Sequence, residues 1–113
     1  MMKARFKLAG SRISFDYDGT LSTAKGKKLA AEFIASGATV FIITARQPSD
    51  SENVYAVADV LGLNKSRVIF TAGKDKWPFM DKYRIGTHYD NNAEQVRKIN
   101  ENTQTRGILF TNN

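Results

Sequence analysis

The feature that most restricts this chain is a regular alternation of short β-like runs with stretches of helical periodicity. The clearest run is Thr39-Val40-Phe41-Ile42-Ile43-Thr44, β-branched or aromatic throughout, which predicts a strand over 39–44. Further strands are predicted at residues 12–16, 67–71, 85–89 and 106–111. Between them, Leu29, Phe33 and Ile34 share one face of a helix from about 24 to 36, with Gly37 suited to its C-terminal cap. Val54, Val57, Ala58 and Leu61 repeat at i, i+3, i+4, i+7; Ser49-Asp50-Ser51-Glu52 reads as the capping box that opens this helix and Gly62 as its stop. Trp77-Pro78-Phe79-Met80 predicts a short helix with Pro in its first turn, and Val96 and Ile99 anchor a fourth that Asn92 caps. This β-α-β-α-β-α-β-α-β order predicts one three-layer, Rossmann-like α/β domain over residues 1–113. Its sheet has five strands, mainly parallel, with helices on both faces. Ligands in such sheets bind at the C-terminal strand ends, near the topological switch point. Before the first strand, Ala4, Phe6 and Leu8 alternate with Lys3, Arg5 and Lys7. That period of two predicts an additional edge strand, although a nucleic-acid-binding arm has the same pattern.

Composition narrows the chemistry. A chain of 113 residues with 42% hydrophobic and 25% charged residues has an ordinary globular balance. The absence of cysteine excludes disulfides, thiolate nucleophiles and thiolate-bound zinc, and a single histidine excludes a His-rich metal site. Reactive groups must come from carboxylates, hydroxyls, amides, Lys and Arg. No apolar stretch follows the basic start, and the run 40–43 is too short to span a bilayer, so no membrane association and a cytoplasmic location are expected. Seventeen Lys and Arg against 11 Asp and Glu give +6, a charge that favours solubility and also suits polyanionic partners.

The polar residues gather where strands stop. The first strand runs into Asp16-Tyr17-Asp18-Gly19-Thr20-Leu21, with two carboxylates at i and i+2 and a glycine that lets the chain turn. The second ends in Thr44-Ala45-Arg46, Lys74 and Lys76 follow the third, and the fourth ends in Asp90-Asn91-Asn92. Carboxylates gathered on one rim repel one another unless a cation sits among them, and a hard divalent ion such as Mg²⁺ suits oxygen ligands. A lysine and a hydroxyl beside such a site point to phosphate. One carboxylate can attack phosphorus while the other serves as general acid and base.

Asp16-Tyr17-Asp18-Gly19-Thr20-Leu21 resembles the first signature of the haloacid dehalogenase-like (HAD) phosphohydrolases. Phe41 to Arg46 resembles the second, a lysine ahead of the fourth strand the third, and His88-Tyr89-Asp90-Asn91-Asn92 the fourth. The resemblance covers nearly the whole chain, in the family's order. It implies Asp16 as nucleophile and Mg²⁺ ligand, and Asp18 as general acid and base that gives its carbonyl to the metal. It implies Thr44 as a phosphoryl hydrogen-bond partner and Asp90 as a further metal ligand. Gly19, Ala45, Arg46 and Lys74 fall at the substrate side. Lys74 and Lys76 both fit the third signature, with Lys76 preferred because it starts the helix leading into the fourth strand. The fourth signature usually holds two acids; here Asn91 stands in the second place, and either Asn91 or Glu94 completes the metal site, with weaker Mg²⁺ binding expected. There is no room for the inserted cap domain that most members carry, which implies an open site and bulky substrates.

A calcium loop would need acids between Leu21 and Lys28, which hold none, and a receiver domain would carry its Asp on the third strand, which has none. His88 reads as structural and Trp77 as packing. Arg46 is divided between substrate binding and an ion pair. Lys25, Lys27 and Lys28 form a solvated face near the entrance. The expected function is Mg²⁺-dependent phosphomonoester hydrolysis through an aspartyl phosphate on Asp16, on a nucleotide or nucleic-acid end. The alternative is a non-catalytic phosphate- or nucleic-acid-binding protein on the same fold.

Overall fold

All five strands and all four helices form, in the predicted order, in the computed structural model, which describes residues 11–112. The strands are β1 (Arg12–Phe15), β2 (Thr39–Thr44), β3 (Val68–Phe70), β4 (Thr87–Asp90) and β5 (Arg106–Leu109). The helices are α1 (Ala24–Ala35), α2 (Glu52–Val60), α3 (Trp77–Lys82) and α4 (Ala93–Asn102). The edge strand expected from Ala4, Phe6 and Leu8 lies outside the described residues.

The sheet order is β3-β2-β1-β4-β5, and every pairing is parallel. In β2, Ile42 points to one face and Phe41 and Ile43 to the other. On the first face α1 and α2 bury Phe15, Leu21, Ala30, Ile42, Val54 and Ala58; on the second, α3 and α4 bury Phe41, Ile43, Met80 and Ile99. Each fully buried Ile or Phe contributes about 1.5–3 kcal/mol of transfer free energy, so the apolar runs choose both faces. After β1 the chain winds outward through β2 and β3, then returns to place β4 on the other side of β1. The β1–β4 boundary is therefore the switch point. The result is a Rossmann-like three-layer α/β domain, with no cap inserted between the described elements. Among the described residues no helix is long and apolar enough to cross a membrane.

Local departures from the sequence reading have physical causes. The capping box at Ser49-Asp50-Ser51-Glu52 does not form. Pro48 to Asp50 make a separate tight turn, Asp50 faces Arg46 at 3.3 Å, and Ser51 precedes α2 without a side-chain cap bond. Strand three starts late because Lys65–Arg67 turn under the side chain of Asn64, which accepts from Ser66 N–H at 2.9 Å. Ile85 is spent on ending α3, its N–H donating to the Met80 carbonyl at 2.9 Å, so β4 begins at Thr87. Asn92 caps α4 as expected, accepting from Glu94 N–H (3.0 Å) and Gln95 N–H (3.2 Å).

Candidate active site

At the end of β1 the backbone reverses abruptly. Asp18 (φ −65°, ψ 121°) and Gly19 (φ 77°, ψ −1°) are the central residues of a type II turn, which needs a left-handed residue in second place. Leu21 N–H then donates to the Asp16 carbonyl at 3.1 Å and Ser22 N–H to the Tyr17 carbonyl at 2.9 Å. A Cβ on Gly19 would lie 2.1 Å from the Asn91 side-chain amide, so this glycine also lets the β4 loop approach. Gly26, in the first turn of α1, does the same underneath, where a Cβ would stand 1.9 Å from the Thr20 carbonyl oxygen. The sequence Asp-x-Asp-Gly-Thr thus folds into a tight loop that sets two carboxylates over the switch point.

Asp16 is buried there, 6% exposed, and so are Lys76 at 3% and Asp90 at 0%. Lys76 Nζ donates to Asp16 Oδ1 and to Asp90 Oδ2, each at 2.7 Å. The structure thus places Lys76 between the carboxylates and leaves Lys74 exposed at the rim. Behind Asp90 lies His88. Its Nε2 is 2.9 Å from Asp90 Oδ2 and its Nδ1 2.6 Å from Ser14 Oγ. The carboxylate requires a proton on Nε2, so Nδ1 accepts from the Ser14 hydroxyl. Burial holds the His88 imidazole below its usual pKa, against the pull of Asp90. Asp90 Oδ1 accepts from Asn92 N–H at 3.0 Å.

Two carboxylates facing one ammonium leave an excess negative charge, and Asp16 bears it. Burial, with the neighbouring Asp90 charge, outweighs Lys76 and pushes the Asp16 carboxyl up to about 6. Burial also acts to raise Asp90, but the hydrogen bond from His88 and the Lys76 charge outweigh it and hold Asp90 below the ordinary carboxylate range. Asp18 differs. Its side chain is 59% exposed and forms a two-point pair with Arg46, Nη2 to Oδ1 at 2.8 Å and Nε to Oδ2 at 2.9 Å. Those hydrogen bonds hold the Asp18 carboxyl below its usual range. The Arg46 guanidinium also stacks 4.9 Å over the Tyr17 ring.

The remaining candidates occupy distinct places. Thr44 is fully buried, and its hydroxyl accepts from Arg46 N–H at 3.2 Å. A cleft of about 370 Å³ is lined by Asp16, Asp18, Ala45, Lys74, Lys76 and Asn91, among others, but not by Thr44 or Arg46. Glu94 lies outside it, paired with Arg97 on the exposed first turn of α4. Gln95, which the motif reading did not single out, accepts from Lys76 N–H and donates to Asp75, both at 3.1 Å, and so locks the lysine loop to α4. Ser14 was also missed, and its signal was a lone hydroxyl within an apolar strand.

A hard cation would have oxygen donors in this cleft. With its nitrogen inward, the Asn91 amide donates to Asp16 Oδ2 at 2.9 Å and to the Asp18 carbonyl oxygen at 3.1 Å. Turned over, the amide presents a third oxygen to the same point. Carboxylate, carbonyl and amide oxygens are the donors Mg²⁺ takes, and the excess negative charge suits it. Among the described residues no three His, Cys, Asp or Glu side chains form a metal cage of their own. Such a site therefore needs the backbone and the amide.

No family model matches the chain, and no curated protein sequence does. Solved structures do share its fold. A universal stress protein in complex with cAMP is similar over 91% of this chain and 98% of its own, with a TM-score of 0.59 and 13% identity. A putative 3-deoxy-D-manno-octulosonate 8-phosphate phosphatase from Vibrio cholerae is similar over 85% of this chain and 66% of its own, with a TM-score of 0.50 and 17% identity. At these identities the likeness establishes the Rossmann-like α/β fold.

Proposed function

We propose that this chain is a Mg²⁺-dependent phosphomonoesterase with Asp16 as nucleophile and Asp18 as general acid and base. The observation that carries the reading is the buried Asp16–Lys76–Asp90 cluster beside Asp18, at the C-terminal edge of a parallel sheet. The resemblance of four ordered segments to the HAD signatures supports it, as does the phosphatase among the structural neighbours. Lys76 holds Asp16 by one oxygen, Oδ1, and stands ready to offset phosphoryl charge. An Asp16 oxygen attacks phosphorus and the bond to the leaving oxygen breaks, while Asp18 gives that oxygen a proton. Asp18 then takes a proton from water, whose oxygen attacks phosphorus and releases Asp16. Asp16, the Asp18 carbonyl and the Asn91 amide oxygen would hold Mg²⁺, which when bound supplies charge neutralisation at the phosphoryl oxygens. Asp18 must leave Arg46 to work as an acid. A phosphate dianion competes for the guanidinium and frees it. The open cleft suits a large substrate, a nucleotide or nucleic-acid end. Two observations favour a second reading, phosphate binding without turnover: Asp18 is tied down by Arg46, and Asn91 stands where the resemblance leads one to expect an acid.

The test is phosphate release from p-nitrophenyl phosphate, nucleotides and end-phosphorylated oligonucleotides, with and without chelator, alongside Asp16→Asn. Release that disappears with chelator and in the variant is expected. Equal release by the variant refutes the mechanism, and binding of the panel without release supports the second reading.

A further inference from the structure

We propose that the chain carries a second ligand site, a cleft for a nucleoside phosphate at the N-terminal edge of the sheet, opposite the acidic cleft. This does not rest on the phosphatase reading. The cleft has a volume of about 420 Å³, larger than the acidic one, and lies over the starts of β1, β4 and β5. Ile13, Thr87 and Arg106 sit side by side there in the sheet register. Among the described residues no acidic side chain lines it, whereas Arg12, Arg84 and Arg106 do.

Two of these arginines have no carboxylate partner among the described residues. Arg12 donates from Nε to the Tyr83 carbonyl at 2.8 Å and lies 4.8 Å over the Phe41 ring. Arg84 and Arg106 are exposed, and neither is in an ion pair among the described residues. Two unneutralised guanidinium groups on one cleft attract an anion, and their planar donors match phosphate oxygens. Phe33, Tyr89 and Ile108 also line the cleft. A lining that combines arginines with aromatic side chains suits a phosphate joined to a base, which stacks on aromatic groups.

An independent observation concerns the backbone at Arg84. It follows α3 with φ 54°, its N–H donating to the Asp81 carbonyl at 3.2 Å, while Ile85 N–H returns to Met80. That left-handed position just beyond a helix is where glycine is favoured and a side chain is strained. An arginine is held there against its backbone preference, lining the cleft and without an ion-pair partner among the described residues. Backbone strain of this kind clusters at ligand sites; Ala72, the other described non-glycine residue with positive φ (55°), stands one position before Gly73 in the lining of the acidic cleft.

The experiment is fluorescence anisotropy of a fluorescein-labelled oligodeoxythymidine on the full chain, at rising KCl, with AMP and pyrophosphate as competitors. Wild-type binding that weakens with salt is expected. Arg84→Gly should bind about fivefold more weakly and the double variant R84G/R106Q about 20-fold, as charge-assisted phosphate contacts are lost. Arg84→Gly should also melt no lower than the wild type, which separates lost binding from lost folding. Displacement by AMP identifies a free nucleotide as sufficient; displacement only by unlabelled strand identifies a nucleic-acid end. In the wild type, the amide resonances of Thr87, Tyr89 and Ile108 should shift with whichever ligand binds. Equal binding by wild type and double variant, absence of those shifts, or displacement by pyrophosphate as effective as by both AMP and unlabelled strand overturns the proposal.

Discussion

Replacing Asp16 by Asn should stabilise the protein while abolishing the proposed activity. The carboxylate is buried beside Asp90, and its pKa is pushed from 3.8 to about 6, burial being the main cause. Lys76 at 2.7 Å does not compensate, because it is shared with Asp90. A pKa raised in the folded state means that the folded chain binds a proton more tightly than the unfolded chain. Folding stability from this group is therefore greatest below pH 4 and declines as pH rises through 4 to 6. Roughly two powers of ten in proton affinity corresponds to about 3 kcal/mol at neutral pH. Asparagine has the same shape without the charge. Its carbonyl still accepts from Lys76, and its NH₂ can donate to the Asn91 amide oxygen in place of the present contact. The gain should be about 1–3 kcal/mol, or about 4–12 °C in Tm for a domain of this size. The assay is urea and thermal unfolding of both proteins in chelator between pH 4 and 8. The advantage of the variant should grow with pH to about 6 and then level. Adding Mg²⁺ should narrow it, since only the wild type has the Asp16 ligand. A variant less stable than the wild type at pH 7 would mean that Lys76 attraction exceeds the burial penalty, and the charge argument would fail.

Lys76→Met should do the opposite, since it leaves Asp16 and Asp90 buried together without a counter-charge. A loss of about 3–5 kcal/mol at pH 7 is expected, partly recovered at pH 5 as a carboxyl takes up a proton, and measured by urea unfolding. Arg46→Ala removes the half-buried partner that holds the exposed Asp18 carboxyl low. Stability should change by no more than about 1 kcal/mol, whereas the alkaline limb of the kcat/KM profile should move to higher pH; an unmoved limb would exclude Asp18 as the acid.

The order of elements was legible in the sequence because each one carries its own local signal. The run 39–44 alternates between two buried faces, Asn92 caps the helix after it, and the spacing of Val54, Val57, Ala58 and Leu61 has only one helical solution. Asp16, Asp18 and Gly19 were likewise readable as a turn bearing carboxylates, since the backbone chemistry of that turn is local. Element ends were less so. Ser49 to Glu52 match a capping box, but Pro48 and the pull of Arg46 on Asp50 decide otherwise. The partners within the site depend on residues far apart in sequence. Sixty positions separate Asp16 from Lys76 and 74 separate Ser14 from His88, and strand order β3-β2-β1-β4-β5 alone brings them together. That is why Lys74 and Lys76 both fit the sequence pattern although only Lys76 reaches the two carboxylates, and why Glu94 counts beside Asp90 in the sequence although it lies on the exposed turn. Arg84 and Arg106 are unremarkable as sequence; only the parallel packing of β1, β4 and β5 puts both on one cleft. Local backbone preferences and hydrophobic periodicity are short-ranged and can be read along a chain. Burial, and with it the charge state of Asp16 and the isolation of those arginines, is a property of what packs across the sheet.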